Sequence, residues 1–170
     1  MSDIRDLSLT ILIFLSLDYI WIEFVMNKHY NKVINSIQGS PMNWYTFPSI
    51  LGYACLLGGF YHYVIQRIES KASFTSVVSL AIPFALCVYG FFDFMNATIY
   101  KNYDMSTAFI DLIWGVANCC ITACLVSYVR DWWLICLFII WHRSLERFWK
   151  INWKQVFFEN WNGINRKWIN

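Results

Sequence analysis

Apolar residues gather along the chain into four runs, residues 7–26, 45–65, 75–100 and 107–129. Each approaches or exceeds the roughly 20 helical residues that cross a hydrocarbon layer. The pattern predicts four transmembrane helices. The first is expected to start near Asp6, whose side-chain oxygen suits an unpaired NH of the first turn. The polar stretch 27–44 reads as the longest connection and ends in the turn-like string Gly39, Ser40, Pro41. In the second run Pro48 sits near the start, where a missing NH is tolerated. Gly52, Gly58 and Gly59 remove side chains so that a neighbour can approach, which predicts a central helix. Pro83 lies mid-run in the third and predicts a kink or a freed carbonyl.

After residue 129 the pattern changes. Residues 132–141 are apolar but too short to span, and the rest mixes Arg143, Arg147, Lys150 and Lys154 with Phe148, Trp149 and Trp153. Tryptophan favours the headgroup layer, and basic side chains reach lipid phosphates while burying their stems. A helix lying on the membrane is expected, with a short re-entrant or fifth segment as the alternative. The fold class is therefore an all-α membrane protein. It combines an antiparallel four-helix transmembrane bundle, residues 1–129, with a C-terminal interfacial amphipathic helix in a Trp-rich basic tail, residues 130–170.

Composition agrees: 58% of the residues are hydrophobic and 14% charged, against about 25% charged in soluble domains. The first run is too long and too acidic at its start for the core of a cleaved signal peptide, and is expected to remain in the mature protein. A net charge of +2 makes no case for nucleic acid, but its placement orients the chain. Arg5, Arg67, Lys71 and seven residues from Arg130 onward make ten basic residues on one side, against Lys28, Lys32 and Lys101 on the other. The positive-inside rule then puts both termini on the cytoplasmic or equivalent face. Cys55, Cys87, Cys119, Cys120, Cys124 and Cys136 all lie in apolar runs and read as reduced packing residues.

Charges inside the runs carry the candidate chemistry. An ionised carboxylate in hydrocarbon is unfavourable by at least about 2.5 kcal/mol, so Asp18, Asp93 and Asp111 must find partners, water or a proton. Alternating helix directions bring all three toward the outer half of the bilayer. Steps of three or four residues add Trp21 to Asp18, Gly90 and Asn96 to Asp93, and Trp114, Gly115 and Asn118 to Asp111. The cluster reads either as a site for a proton, a cation, a cationic group or a polar lipid headgroup, or as packing between helices through Asn, Trp and Tyr. Glu23 is expected to reach interfacial water and His62 to be a hydrogen-bonded interfacial residue. No cofactor or metal site is indicated. The chain has no Gly-rich phosphate loop, CxxC pair, nucleophile elbow or lysine within a run, and its histidines lack ligand spacing. The sequon at Asn96 lies in or against the bilayer and is expected to be unmodified.

The same strings carry a resemblance. LDYIW at 17–21, the later Tyr30, YGFFDFMN at 89–96 and IDLIWG at 110–115 are similar to the predicted small membrane protein family called domain of unknown function 2177, over about residues 7–129. The resemblance implies four transmembrane helices, and it marks Asp18, Trp21, Gly90, Asp93, Asn96, Asp111, Trp114 and Gly115. It implies no activity, and the tail departs from the family pattern.

The leading functional reading is binding or transport of a small polar or cationic ligand, or a proton. The acids would supply charge or exchange a proton, Trp21 and Trp114 would wall the pocket, and Asn96 and Asn118 would orient the acids. Two alternatives stay open: a membrane-embedded lipid-modifying enzyme with one protonated and one ionised acid, and a structural or assembly protein working through its tail. Membrane lipids are the expected partners. Transport would call for a homo-oligomer, because four helices leave little room for a pathway in one subunit.

Overall fold

The computed structural model describes residues 2–130, and the regular structure within that stretch is helical throughout. Helix α1 spans Asp3–Gln38, α2 Thr46–Tyr63, α3 Phe74–Ile99 and α4 Met105–Arg130, with a short 3-10 turn at Ile65–Arg67 after α2. Of these, α1, α3 and α4 are long and apolar enough to cross a membrane. The tail segment expected to lie on the membrane, with Cys136, falls outside the described residues.

The expected long connection after residue 26 is a helix. Met26 and Val33 are buried and Tyr30, Ile34 and Ile37 half-buried, whereas Lys28, Lys32 and Asn35 are less enclosed. That spacing of three and four makes one apolar face, so the polar composition that resembled a loop belongs to an amphipathic helix. It stops at Gly39, whose φ of 72° is a left-handed cap and whose NH bonds to the Asn35 carbonyl at 2.9 Å. With 36 residues, α1 is about 54 Å long at 1.5 Å per residue. That exceeds a hydrocarbon layer of about 30 Å.

Two helices widen locally into π turns, α1 at Trp21–Met26 and α3 at Leu86–Gly90. In α3 the irregularity follows Pro83, which has no NH to offer the Ser79 carbonyl. Asp6 does not cap α1. It sits inside the first turns, and its carboxylate pairs with Arg5 Nε at 2.9 Å and Arg130 Nε at 3.6 Å. Ser73 caps α3 by accepting from the Ser76 NH at 3.2 Å.

Phe14, Phe60 and Phe84 tie α1, α2 and α3 together, with ring centroids 5.7 and 5.5 Å apart. Ala81, Ala85, Cys119 and Ala123 are fully buried in the same core. The packing face of α2 carries Leu57, Phe60 and Val64, so Gly52 and Gly58 fall on its exposed side with open space around them. Only Gly59 meets a neighbour in the expected way: a Cβ there would stand 3.5 Å from the Phe84 ring. Cys119 is buried, Cys120 and Cys124 are half-buried, Cys55 and Cys87 are exposed, and all five are free thiols.

The distribution of polarity is that of a protein in lipid. Leu12, Phe24, Ile50, Phe91, Ile113 and Leu125 are exposed, while Thr10, Asp18, Asp93, Asn118 and Thr122 are buried. Exposed apolar surface on this scale needs an apolar surround. At one end of the helices Tyr61 donates to the Asp3 carbonyl at 2.9 Å, Arg130 to the Ile68 carbonyl at 2.7 Å, and the Lys71 NH to the Ser127 carbonyl at 3.1 Å. At the other, His29 Nε2 meets Thr107 Oγ1 at 2.8 Å and Asn102 donates to the Ser36 carbonyl at 2.6 Å. The apolar core fills the half near the first end. The acids singled out from the sequence gather in the other half.

Candidate functional site

Near the connections 39–45 and 100–104 the helices leave an open-sided cavity of about 240 Å³. Asp18, Asp93 and Asp111 all line it, with Trp21 and Trp114 beside them. Acids from three different helices thus meet at one place, and among the described lining residues none is Lys, Arg or His.

Each acid is held differently. Asp18 is 8% exposed, and both of its oxygens are engaged: Oδ2 accepts from Tyr53 at 2.5 Å and Oδ1 from the Trp114 indole NH at 3.0 Å. Asp111 Oδ1 accepts from Tyr30, and its Oδ2 lies 3.5 Å from the Tyr103 hydroxyl. Tyr103 makes its better bond, 3.1 Å, to Asp93 Oδ1. Asp93 is 1% exposed, and its Oδ2 has no hydrogen-bond partner among the described residues. Burial, reinforced by the adjacent Asp93 and Asp111 carboxylates, pushes the Tyr103 phenol up, so in the connection between α3 and α4 it acts as a neutral donor.

The walls are aromatic and aliphatic. Trp21 and Trp114 stack face to face, centroids 4.4 Å apart and planes 5° from parallel, while Ile22, Ile34, Met42, Trp44, Tyr89 and Phe92 complete the lining. Both π segments border this cavity, supplying Trp21 and Ile22 from α1 and Tyr89 from α3. A π turn inserts one residue and so rotates the helix beyond it, and such turns recur at functional positions.

Of the residues chosen from the sequence, Asp18, Trp21, Asp93, Asp111 and Trp114 line the cavity. Gly90 is buried behind it, and a Cβ there would meet only ordinary contacts with Leu112 and Phe94, so no close approach demands glycine. Gly115 is different, because a Cβ would run into the Tyr89 ring. Asn96 and Asn118 are not among the lining residues of the cavity. Asn118 accepts from Thr122 at 3.1 Å, and its buried Nδ2 has no partner among the described residues. Tyrosine and tryptophan do the orienting instead, since a phenol or indole reaches further across a helix gap than an amide.

Sequence reasoning missed Tyr53, Tyr89, Tyr103, Met42 and Trp44. Tyr89 stands four residues before Asp93, a spacing that would have found it. Tyr53, Met42 and Trp44 come from elements without an acid to point to them, and the acid beside Tyr103, Asp104, caps α4 instead. Glu23 is exposed and accepts from Asn27 at 3.2 Å, outside the cavity. His62 is exposed and meets Gln66 Oε1 at 3.1 Å. Among the described residues no group of three His, Cys, Asp or Glu is arranged to hold a metal ion.

A family model described as "Predicted membrane protein (DUF2177)" matches residues 5–128. No curated protein and no solved structure matches the chain.

Proposed function

The chain belongs to the DUF2177 family of predicted membrane proteins, and from that premise we propose a multi-pass protein that binds a small cationic ligand, or a proton, in the cavity between its helices. All four helices cross the bilayer in this reading. The 18 residues of α2 extend about 27 Å, close to the roughly 30 Å of hydrocarbon. The ten-to-three imbalance of basic residues favours both termini on the cytoplasmic or equivalent face. The cavity then opens in the half away from the cytoplasm.

One observation carries the ligand-binding reading: Asp93, which lines the cavity with two further acids, is almost fully buried, and one of its carboxylate oxygens has no partner among the described residues. A buried acceptor without a donor is unfavourable by about 1–3 kcal/mol, more when charged, and a helix-packing acid would be expected to have both oxygens engaged, as Asp18 does. With acids and no basic residue in the described lining, a ligand or a proton is left to supply the balancing charge.

The test is native mass spectrometry of protein ejected from nanodiscs, comparing wild type with the Asp18→Asn, Asp93→Asn, Asp111→Asn triple variant. A mass adduct carried by folded wild type alone is expected. Identical spectra from the two folded proteins would overturn a retained small ligand and leave the acids to a proton or to helix packing.

A further inference from the structure

Asp18, Asp93 and Asp111 line the cavity, and four side chains donate to their oxygens: Tyr53 and Trp114 to Asp18, Tyr30 to Asp111, and Tyr103 to Asp93 and Asp111. A phenol carries one proton, so Tyr103 serves its two acids by sharing. Asp93 Oδ2 receives nothing from the described residues. A ligand that pairs with Asp93 therefore brings a hydrogen-bond donor as well as positive charge.

We infer that the ligand is an organic ammonium ion, a protonated amine with an apolar body, which rests on the cation-binding reading above and narrows it. A bound Ca²⁺ takes six to eight oxygens and Mg²⁺ demands near-octahedral oxygen coordination. Here the Asp18 oxygens and Asp111 Oδ1 already face protein hydrogens, and Asp93 Oδ2 has no partner among the described residues. An ammonium group is satisfied by far fewer acceptors and supplies the missing hydrogen to Asp93 directly.

The walls make the same choice. Ile22, Ile34, Met42 and Phe92 give an organic body apolar surface, which a hydrated metal ion does not use. The stacked Trp21 and Trp114 offer ring faces that attract cations. A volume of about 240 Å³ exceeds the roughly 150 Å³ that admits a benzene ring in a protein interior. Two sources supply this chemistry, a free amine or the ethanolamine headgroup of a phospholipid.

The experiment is calorimetric titration of the full chain in phosphatidylglycerol nanodiscs with phenethylammonium chloride, calcium chloride or potassium chloride, with circular dichroism confirming the helices. Saturable phenethylammonium binding is expected, weakened at least about 30-fold by Asp93→Asn, as for loss of one partner of a buried charged pair. Trp44→Ala, at an exposed edge of the cavity, should weaken it roughly fivefold through a lost cation–π face, and it serves as well if the Asp93 variant misfolds. Calcium or potassium binding with phenethylammonium silent overturns the ammonium assignment and leaves a cation site standing. Silence from all three probes removes the cation site itself, and phenethylammonium binding unchanged in both variants puts the amine elsewhere. Competition on adding phosphatidylethanolamine to the nanodiscs supports the lipid headgroup as the source, and undiminished binding supports a free amine.

Discussion

Asp18 illustrates how the buried charge is tolerated: Tyr53 from α2 and Trp114 from α4 each give it one hydrogen, so a residue of α1 is held from two other helices. Tyr53→Phe keeps the ring and removes that hydrogen. It is expected to lower stability by about 1–3 kcal/mol, the penalty for stranding a buried acceptor. Unfolding midpoints in mild detergent measure it, and a change well below the roughly 1 kcal/mol floor of that penalty would show that Asp18 does not depend on this bond. Gly115 poses the opposite problem, because the Tyr89 ring occupies the space a methyl would need. Gly115→Ala should destabilise by about 1–3 kcal/mol through overpacking. Combined with Tyr89→Ala, the loss should be smaller than the sum of the two single effects, since the second change removes the collision. At this scale the acids were legible, since charge inside an apolar run has few explanations. Their donors were not, because a tyrosine in such a run reads equally as an interface anchor or a packing residue.

Helix ends and irregularities decide where those side chains arrive. Asp104 caps α4: its Oδ1 accepts from the Thr107 NH at 2.7 Å and from the Ser106 and Thr107 hydroxyls at 2.6 and 3.0 Å. These bonds, the Ser106 hydroxyl first, hold its carboxyl down at about 2 against an ordinary 3.8. A depressed folded pKa contributes stability that is fully present above the unfolded value and is lost as pH falls through the folded one. The cap should therefore weaken as pH falls from 3.8 to about 2. Asp104→Asn, which caps without titrating, should be insensitive to that window, and Asp104→Ala should be less stable by about 1 kcal/mol at neutral pH. Thermal melts of the three proteins at neutral pH and at steps through that window check both statements, and parallel pH profiles for wild type and Asp104→Asn would refute the cap's titration. The helical runs were legible from apolar length alone. The extension of α1 to Gln38 was masked by polar composition, although the 3–4 spacing of Met26, Tyr30, Val33, Ile34 and Ile37 was already there. The π turns leave no comparable pattern, since the added residue changes hydrogen-bond register without a required residue type.

For the whole molecule, orientation in the membrane determines what reaches the cavity. Hydrogen bonds put residues 36 and 102 at one end and residues 68 and 130 at the other. The proposed orientation turns the second end to the cytoplasm, since Arg5, Arg67, Lys71 and Arg130 gather there while Lys28, Lys32 and Lys101 lie toward the first. Single cysteines at Ser40, Lys101 and Glu69, placed in a variant lacking the native thiols, make this measurable with a membrane-impermeant maleimide. Ser40→Cys and Lys101→Cys should react in intact cells, and Glu69→Cys only after permeabilisation. The reversed pattern would turn the cavity toward the cytoplasm and make any ligand an intracellular one. Reaction of Ser40→Cys and Glu69→Cys from the same side would mean that α2, which falls short of the other three helices in hydropathy, enters the membrane without crossing it. The measurement therefore separates three crossings from four, a choice on which the apolar length of the second run and the hydropathy of the folded helix point in different directions.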